Sequence, residues 1–422
     1  MALGRTLTHG LRTTHRPRIL IGKDTRRSCY MLETALAAGI CSAGGDALLL
    51  GPIPTPAVAF LVKSMRADGG VMISASHNAF ADNGIKLFGS DGYKFDDAFE
   101  LRLEQGILNP PPEAELPVGA DLGRLRRLDE ALGRYIVFAK TAFPPGMTLE
   151  GLKVAVDCAN GAAYKVAPTA LEELGAEVIA VGTKPDGANI NDGVGSMYPE
   201  NLGRIVREHG CHVGLCLDGD ADRLIVVDEK GDTVDGDQLM AINALRMLGE
   251  GRLAQKTLVS TVMSNLALDR CLEGAGGRVV RTQVGDRYVV GAMREGGYNL
   301  GGEQSGHLIF LDHSTTGDGL VAGLGFLGAL MQSDKTVSEL AAVLQPFPQT
   351  LVNVPVREKL PLEELAGVQK AIRAAESELG VDGRVLVRYS GTENKARVLV
   401  EGQDSSQVDR LAEEIGEALK IG

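Results

Sequence analysis

Asp218-Gly219-Asp220-Ala221-Asp222-Arg223 sets three carboxylates at alternate positions, separated only by glycine and alanine. Anions so close repel one another, and the arrangement suits one hard divalent cation drawing an oxygen from each. A calcium EF-hand loop is the rival reading, because Glu229 stands at its twelfth position. Two features oppose it: Arg223 occupies the sixth position, where that loop needs glycine, and the flanking apolar runs 213–217 and 224–227 read as strands where helices are required. Magnesium is the default ion, with Asp218, Asp220 and Asp222 as its ligands.

A second polar stretch, Ser74-Ala75-Ser76-His77-Asn78 through Asn83-Gly84, lies between the apolar runs 71–73 and 85–88. It reads as a hairpin between two short strands, the first of them buried. Such a strand carries Ser76 to its end, where open α/β sheets keep their ligands. Ser76 is therefore presented and not buried, although a polar loop that merely caps a strand has the same composition. Lys86, just beyond the turn, is a candidate for proton transfer, or simply a partner for a nearby carboxylate. His77 is a poor base for Ser76, because neighbours on an extended chain point apart.

Three other loops could hold a substrate. Gly301-Gly302-Glu303-Gln304-Ser305-Gly306-His307 offers Glu303 and Ser305 to sugar hydroxyls or an amine. His307 is a second candidate for proton transfer, or a satisfied structural histidine. Arg388-Tyr389-Ser390-Gly391-Thr392-Glu393-Asn394, with Arg397 on the next strand, makes a cradle for a phosphate dianion from Arg388, Ser390, Gly391, Thr392 and Arg397. In Gly22-Lys23-Asp24-Thr25-Arg26, Lys23 or Arg26 can meet an anion at a helix start, although capping explains Asp24 and Thr25 equally well. Asp286 reads as a helix cap, with Arg287 in solvent.

These loops need elements to hold them. A chain of 422 residues is too long for one core, and its alternating strand and helix patterns predict domains over 1–141, 142–235, 236–349 and 350–422. The first three read as mostly parallel α/β sheets, and the last as a smaller α+β unit. Residues 109–112, with three prolines, form a loop excursion. Glycine-rich, tryptophan-free composition suits an α/β enzyme, and a net charge of −12 argues against nucleic acid and anionic membranes. Six cysteines without a Cys-x-x-Cys pair indicate reduced thiols in the cytoplasm. Arg5, Arg12, Arg16 and Arg18 mimic a transit peptide, but a strand follows at once, so the segment reads as a helix remnant.

Taken together, the loops around Ser76, Asp218, Glu303 and Ser390 resemble, in order, those of the α-D-phosphohexomutases. The resemblance implies three similar α/β domains and a fourth around one cleft, with Ser76 as the nucleophile that carries a phosphoryl group, Ser74 second, and a phosphoserine oxygen of Ser76 as a further metal ligand. It implies one magnesium ion, a bisphosphorylated sugar intermediate, and Arg26 and Arg223 among the substrate contacts. Gln304, in place of a methionine, favours the branch acting on glucosamine 6-phosphate and glucosamine 1-phosphate, which feeds UDP-N-acetylglucosamine and cell-wall synthesis. Mannose or glucose phosphates, or a non-catalytic sugar-phosphate binder, are the alternatives. Expected partners are a small phosphosugar and at most a second copy in a homodimer, with no nucleic acid or membrane. Family members open with a strand and a Gly-Thr-x-Gly-x-Arg-Gly segment, so the chain as written is expected to be less stable and less active than a longer form. Ala79 and Asn394 stand where the family has proline, which is expected to loosen both loops.

Overall fold

A computed structural model describes residues 1–109, 116–390 and 394–421; the three prolines of the 109–112 excursion lie outside the described residues. The chain divides into two compact units, residues 1–263 with 276–343, and residues 264–275 with 344–422.

The first unit holds three sheets. The first runs in the order β4-β3-β1-β2-β5, from β1 (Arg18–Lys23), β2 (Asp46–Pro52), β3 (Gly69–Ile73), β4 (Ile85–Gly89) and β5 (Leu125–Arg127). All are parallel except β4, which returns antiparallel to β3. The second contains β6 (Lys153–Asp157), β7 (Glu177–Val181), β8 (Val213–Leu217), β9 (Leu224–Val227) and β10 (Thr233–Val234), in the order β10-β9-β8-β6-β7. There β6, β7 and β8 are parallel and β9 turns back on β8. The third contains β11 (Thr257–Thr261), β12 (Arg278–Thr282), β13 (Leu300–Gly302) and β14 (Leu308–Phe310), with β14 antiparallel to β13.

One plan thus recurs three times: parallel strands, then a hairpin. Strands buried on both faces read as unbroken apolar runs, and β3 and β8 are buried at every residue. A short polar loop can join only antiparallel neighbours, so each hairpin sets its loop at the carboxyl end of the parallel strand before it. Ser76, the three aspartates, Glu303, Ser305 and His307 occupy those loops.

The helix Ala2–Leu11 packs on the helix Arg27–Ser42, as two close approaches show. A Cβ at Gly4 would lie 2.4 Å from the Leu36 carbonyl oxygen, and one at Gly39 would lie 2.3 Å from that of Met1. Leu7 is fully buried in a cluster with Ile19, Leu36 and Ile40. The helix Gly319–Met331 is apolar on all sides and buried along nearly its whole length. It touches β8, β9 and β14 together with the helices Ala131–Lys140 and Gly236–Gly249, and so ties the second and third sheets of this unit together.

In the second unit β15 (Gln349–Pro355), β16 (Arg384–Tyr389) and β17 (Lys395–Glu401) form an antiparallel sheet in the order β15-β17-β16. Val354, Val398 and Val400 pack with Val408, Leu411 and Ile415 of the last helix, the α+β arrangement expected. All six cysteines are free. Among the described residues no helix is long and apolar enough to cross a membrane.

Leu7→Ala removes a fully buried side chain from the first core and should cost about 2 to 5 kcal/mol. A lower urea midpoint with an unchanged m-value is the expected result.

Candidate active site

β3 delivers the chain to Ser74, which is buried. Its hydroxyl donates to Asp24 Oδ2 at 2.7 Å and accepts the Ser76 N–H at 2.9 Å, so Ser74 supports the loop and is not offered as a nucleophile. Ser76 is half-buried with φ at 51°, a left-handed conformation that a serine holds only where its surroundings impose it. Its Oγ donates to Asp218 Oδ2 at 2.5 Å and stands 3.4 Å from His77 Nδ1. The argument against His77 fails because it assumed extended backbone at Ser76.

Arg26 imposes that conformation. It does not meet an anion, as expected of it, because it is fully buried and all five of its N–H groups are engaged. Nε donates to Asp24 Oδ2 at 2.8 Å, Nη2 to the carbonyls of Ser76 and Asn78 at 3.0 and 2.8 Å, and Nη1 to those of Ala79 and Asp82. The planar fork spans the loop and meets four of its carbonyls at once. Lys23 is also withdrawn from ligands, since its Nζ donates to Glu33 at 2.5 Å in the core. Asn191, which the sequence did not single out, donates to the Ser76 and Asn78 carbonyls at 2.9 Å each. A Cβ at Gly219 would lie 2.6 Å from the Ser76 carbonyl oxygen, so only glycine lets the carboxylate loop approach so closely.

Asp218, Asp220 and Asp222 are buried, and one oxygen from each lies within 4.8 Å of the others. Oδ1 of Asp220 and of Asp222 are buried without a hydrogen bond among the described residues. Three carboxylates with two such oxygens fit a hard divalent cation. Lys86 Nζ donates to Asp220 Oδ2 and Asp222 Oδ2, both at 2.7 Å. Burial disfavours its charge, but the two carboxylates prevail and raise its pKa. Burial and the Asp222 and Asp220 charges push Asp218 well above the usual carboxylate range. Asp222 is also penalised by burial, yet Lys86 and His307 hold it well below that range. Thr55, a second residue missed in the sequence, donates its N–H to the Asp220 carbonyl at 2.9 Å and its hydroxyl to Asp220 Oδ2. It is the first residue of the helix Thr55–Ser64.

His307 is buried, with Nδ1 3.6 Å from Asp222 Oδ1 and Nε2 accepting the Gly317 N–H at 3.2 Å. Both ring nitrogens face protein groups, so the geometry orients Asp222 and corrects the expected proton transfer to a sugar. Arg223 is half-buried; its N–H donates to Asp218 Oδ1 at 3.1 Å, and its Nε is buried without a partner among the described residues. The next loop abuts this one, because the Leu224 N–H donates to the Gly306 carbonyl at 2.9 Å. Glu303 Oε1 accepts the Gly285 N–H at 3.0 Å, and Ser305 is exposed 3.5 Å from Oε2. Gln304 turns away, to Asp235 at 3.3 Å. Asp286 pairs with Lys94 and stands 3.8 Å from His307 Nε2, while Arg287 pairs with Asp97 and Glu100, so neither is the plain cap and solvated cation expected.

In the second unit Arg388 and Arg397 are direct partners across β16 and β17, which sets two cations on one face. Ser390 is buried; its N–H donates to the Lys395 carbonyl at 2.9 Å, and its own carbonyl accepts Lys359 Nζ at 2.7 Å. Gly391 and Thr392 lie outside the described residues.

A hydroxyl held on a cluster of buried carboxylates, on a hairpin repeated through three α/β sheets, defines a phosphoryl-transfer class of enzyme. The chain belongs to the phosphoglucomutase/phosphomannomutase family, whose α/β/α domains I, II and III match residues 1–112, 137–231 and 235–347 and whose C-terminal domain matches 351–418. It is 55% identical over 422 residues to a phosphoglucosamine mutase of Syntrophotalea carbinolica, covering 100% of this chain and 92% of that protein. It is 56% identical over 429 residues to one of Anaeromyxobacter dehalogenans, covering 100% and 94%. A phosphoglucomutase/phosphomannomutase family protein from Burkholderia thailandensis superposes with a TM-score of 0.83 at 25% identity, covering 100% of this chain and 92% of that one. The fold is shared with Aspergillus fumigatus N-acetylphosphoglucosamine mutase, solved with GlcNAc-6P and magnesium, at a TM-score of 0.65 and 20% identity over 91% and 93% of the two chains.

Arg26→Lys keeps the charge but offers three donors where five are used, which loses two charge-assisted hydrogen bonds at about 1.5 to 3 kcal/mol each. Faster amide exchange over residues 74–84 and a lower kcat are expected.

Asp318 yields a pH prediction. Its Oδ1 accepts Tyr135 Oη–H at 2.8 Å and the Val321 N–H at 3.0 Å, and burial lifts its pKa to about 6. The folded chain therefore holds this proton more tightly than the unfolded chain, so the group's contribution is complete below about pH 4 and is lost as pH rises through about 6. Asp318→Asn should flatten that part of the Tm profile.

Proposed function

We propose that the chain interconverts glucosamine 6-phosphate and glucosamine 1-phosphate through a phosphoserine at Ser76, with magnesium held by Asp218, Asp220, Asp222 and an oxygen on Ser76. One observation carries the reading: Ser76 Oγ lies 2.5 Å from Asp218 Oδ2, so nucleophile and cation ligands share one centre. Relatives named phosphoglucosamine mutase, at 52 to 56% identity over nearly their full length, support the sugar. A neighbour of the same fold was solved with magnesium, which supports the ion.

In the first step the bond from phosphorus to Ser76 Oγ breaks and a bond to the free sugar hydroxyl forms, giving a bisphosphate. Ser76 Oγ leaves as a hydroxyl by taking a proton from the Lys86 ammonium, and the amine so formed accepts the proton of the sugar hydroxyl. Magnesium, when bound, neutralises charge on the transferring group. In the second step the sugar has turned over, and its other phosphoryl group returns to Ser76 Oγ. Glu303 and Ser305 are assigned to the sugar amine and hydroxyls. Arg223, Arg388, Ser390, Gly391, Thr392 and Arg397 are assigned to phosphate, and Arg26 and His307 hold Ser76 and Asp222 in position. A cytoplasmic setting with a small phosphosugar as partner accords with the six free cysteines.

Intact mass and peptide mapping of the purified enzyme should find one phosphate, on Ser76, and Ser76→Ala should lose both phosphate and turnover. Asp220→Asn should weaken the response to magnesium, and chelation should stop turnover. Phosphate on Ser74 instead, or a higher kcat/KM on mannose or glucose phosphates, would redirect the assignment.

A further inference from the structure

A cavity of about 340 Å³ lies where residues 141–145 cross the helices Gly236–Gly249 and Gly319–Met331 and the end of β14. Neither Ser76, Lys86 nor the three aspartates line it. Its walls combine apolar surface from Phe143, Pro144 and Phe310 with the charged or polar side chains of Arg246, Arg252 and His313.

Arg246 is the unbalanced group. It is half-buried, its side chain makes no hydrogen bond or ion pair among the described residues, and its Nε is buried with no partner. The nearby acids are committed elsewhere. Glu250 accepts Arg252 Nε at 2.6 Å, and Asp312 accepts Asn299 Nδ2 at 2.7 Å. Burial lowers the pKa of Arg246, with Glu250 acting the other way. Burial also lowers that of His313, against a pull from Asp312, which leaves a neutral imidazole beside the guanidinium at neutral pH. A desolvated guanidinium is stable when its planar donors meet an anion, and Arg223 shows the same buried, partnerless Nε at the phosphoryl-transfer centre.

We propose that this cavity binds a small organic anion, a phosphate monoester or a carboxylate, whose charged group pairs with Arg246 while its body lies against Phe143, Pro144 and Phe310. The ligand bridges the segment leading to β6 and the helices beneath the third sheet, so its binding stabilises their junction.

The test is thermal unfolding of the full chain with inorganic phosphate and, separately, with malonate, in wild type, Arg246→Gln and Arg246→Lys. A rise in Tm is expected that is larger in wild type than in Arg246→Gln, and the anion giving the larger difference names the ligand's charged group. Any rise common to both proteins belongs to the cations of the catalytic centre. Equal rises in wild type and Arg246→Gln, zero included, overturn the site. Should Arg246→Gln fail to fold, Arg246→Lys carries the comparison: it keeps the charge but loses the two-pronged contact, so a rise equal to wild type overturns the site equally.

Discussion

The buried Arg26 guanidinium is the constraint on which the centre depends. A charge in the core is tolerable only when it is paired and fully hydrogen-bonded, and Arg26 achieves this with Asp24 and four carbonyls of one loop. The converse holds for the loop. Four carbonyls of residues 76–82 accept from this one group, while Asn191 donates to two of them and the Asp82 N–H to a third, so Arg26 is the donor that links them all. Asp24 leaves the end of β1, and the helix Arg27–Ser42 starts one residue after Arg26, so sheet, helix and loop are set by one short turn. The rigidity that a proline at position 79 was expected to give is supplied instead by side-chain donors.

Hydrogen bonds between loops assemble the rest. Thr55 holds Asp220, Leu224 holds Gly306, and the Gly319 N–H donates to the Ala221 carbonyl at 2.9 Å. Each joins a different sheet or helix to the carboxylate loop, and the buried helix Gly319–Met331 keeps these partners at fixed separation. The carboxyl ends of three similar sheets therefore converge through backbone contacts, which explains why glycine is needed at position 219, where a side chain would push the loops apart.

Much of this was legible in the sequence because its signals are local. The apolar runs that became β3, β8 and β9, the alternating aspartates and the hairpin around Ser76 each depend on neighbours within a few residues. The burial of Arg26 was not legible, because a basic residue at a helix start looks the same whether it faces solvent or a loop more than fifty residues away. Thr55 and Asn191 were missed for the same reason, since each acts only through a contact distant in sequence. His307 was half read: its place in the loop was visible, but not that Gly317 would occupy one nitrogen and Asp222 face the other. The left-handed turn at Ser76 undid the argument against His77, since alternation of side chains holds only on extended backbone.

The three aspartates do not share their environment equally, and the difference bears on how Ser76 is aimed. Asp220 and Asp222 divide one ammonium between them, whereas Asp218 takes the serine hydroxyl and the Arg223 N–H. Repulsion within the cluster is thus relieved by charge on one side and by hydrogen bonding on the other, and Asp218 is the member whose carboxyl is pushed up. The carboxyl pushed up by burial and by its neighbours is therefore the one that takes the Ser76 hydroxyl. Electrostatics of the cluster and alignment of the nucleophile are one interaction, so a change at Asp222 or Lys86 reaches Ser76 through Asp218 without touching it.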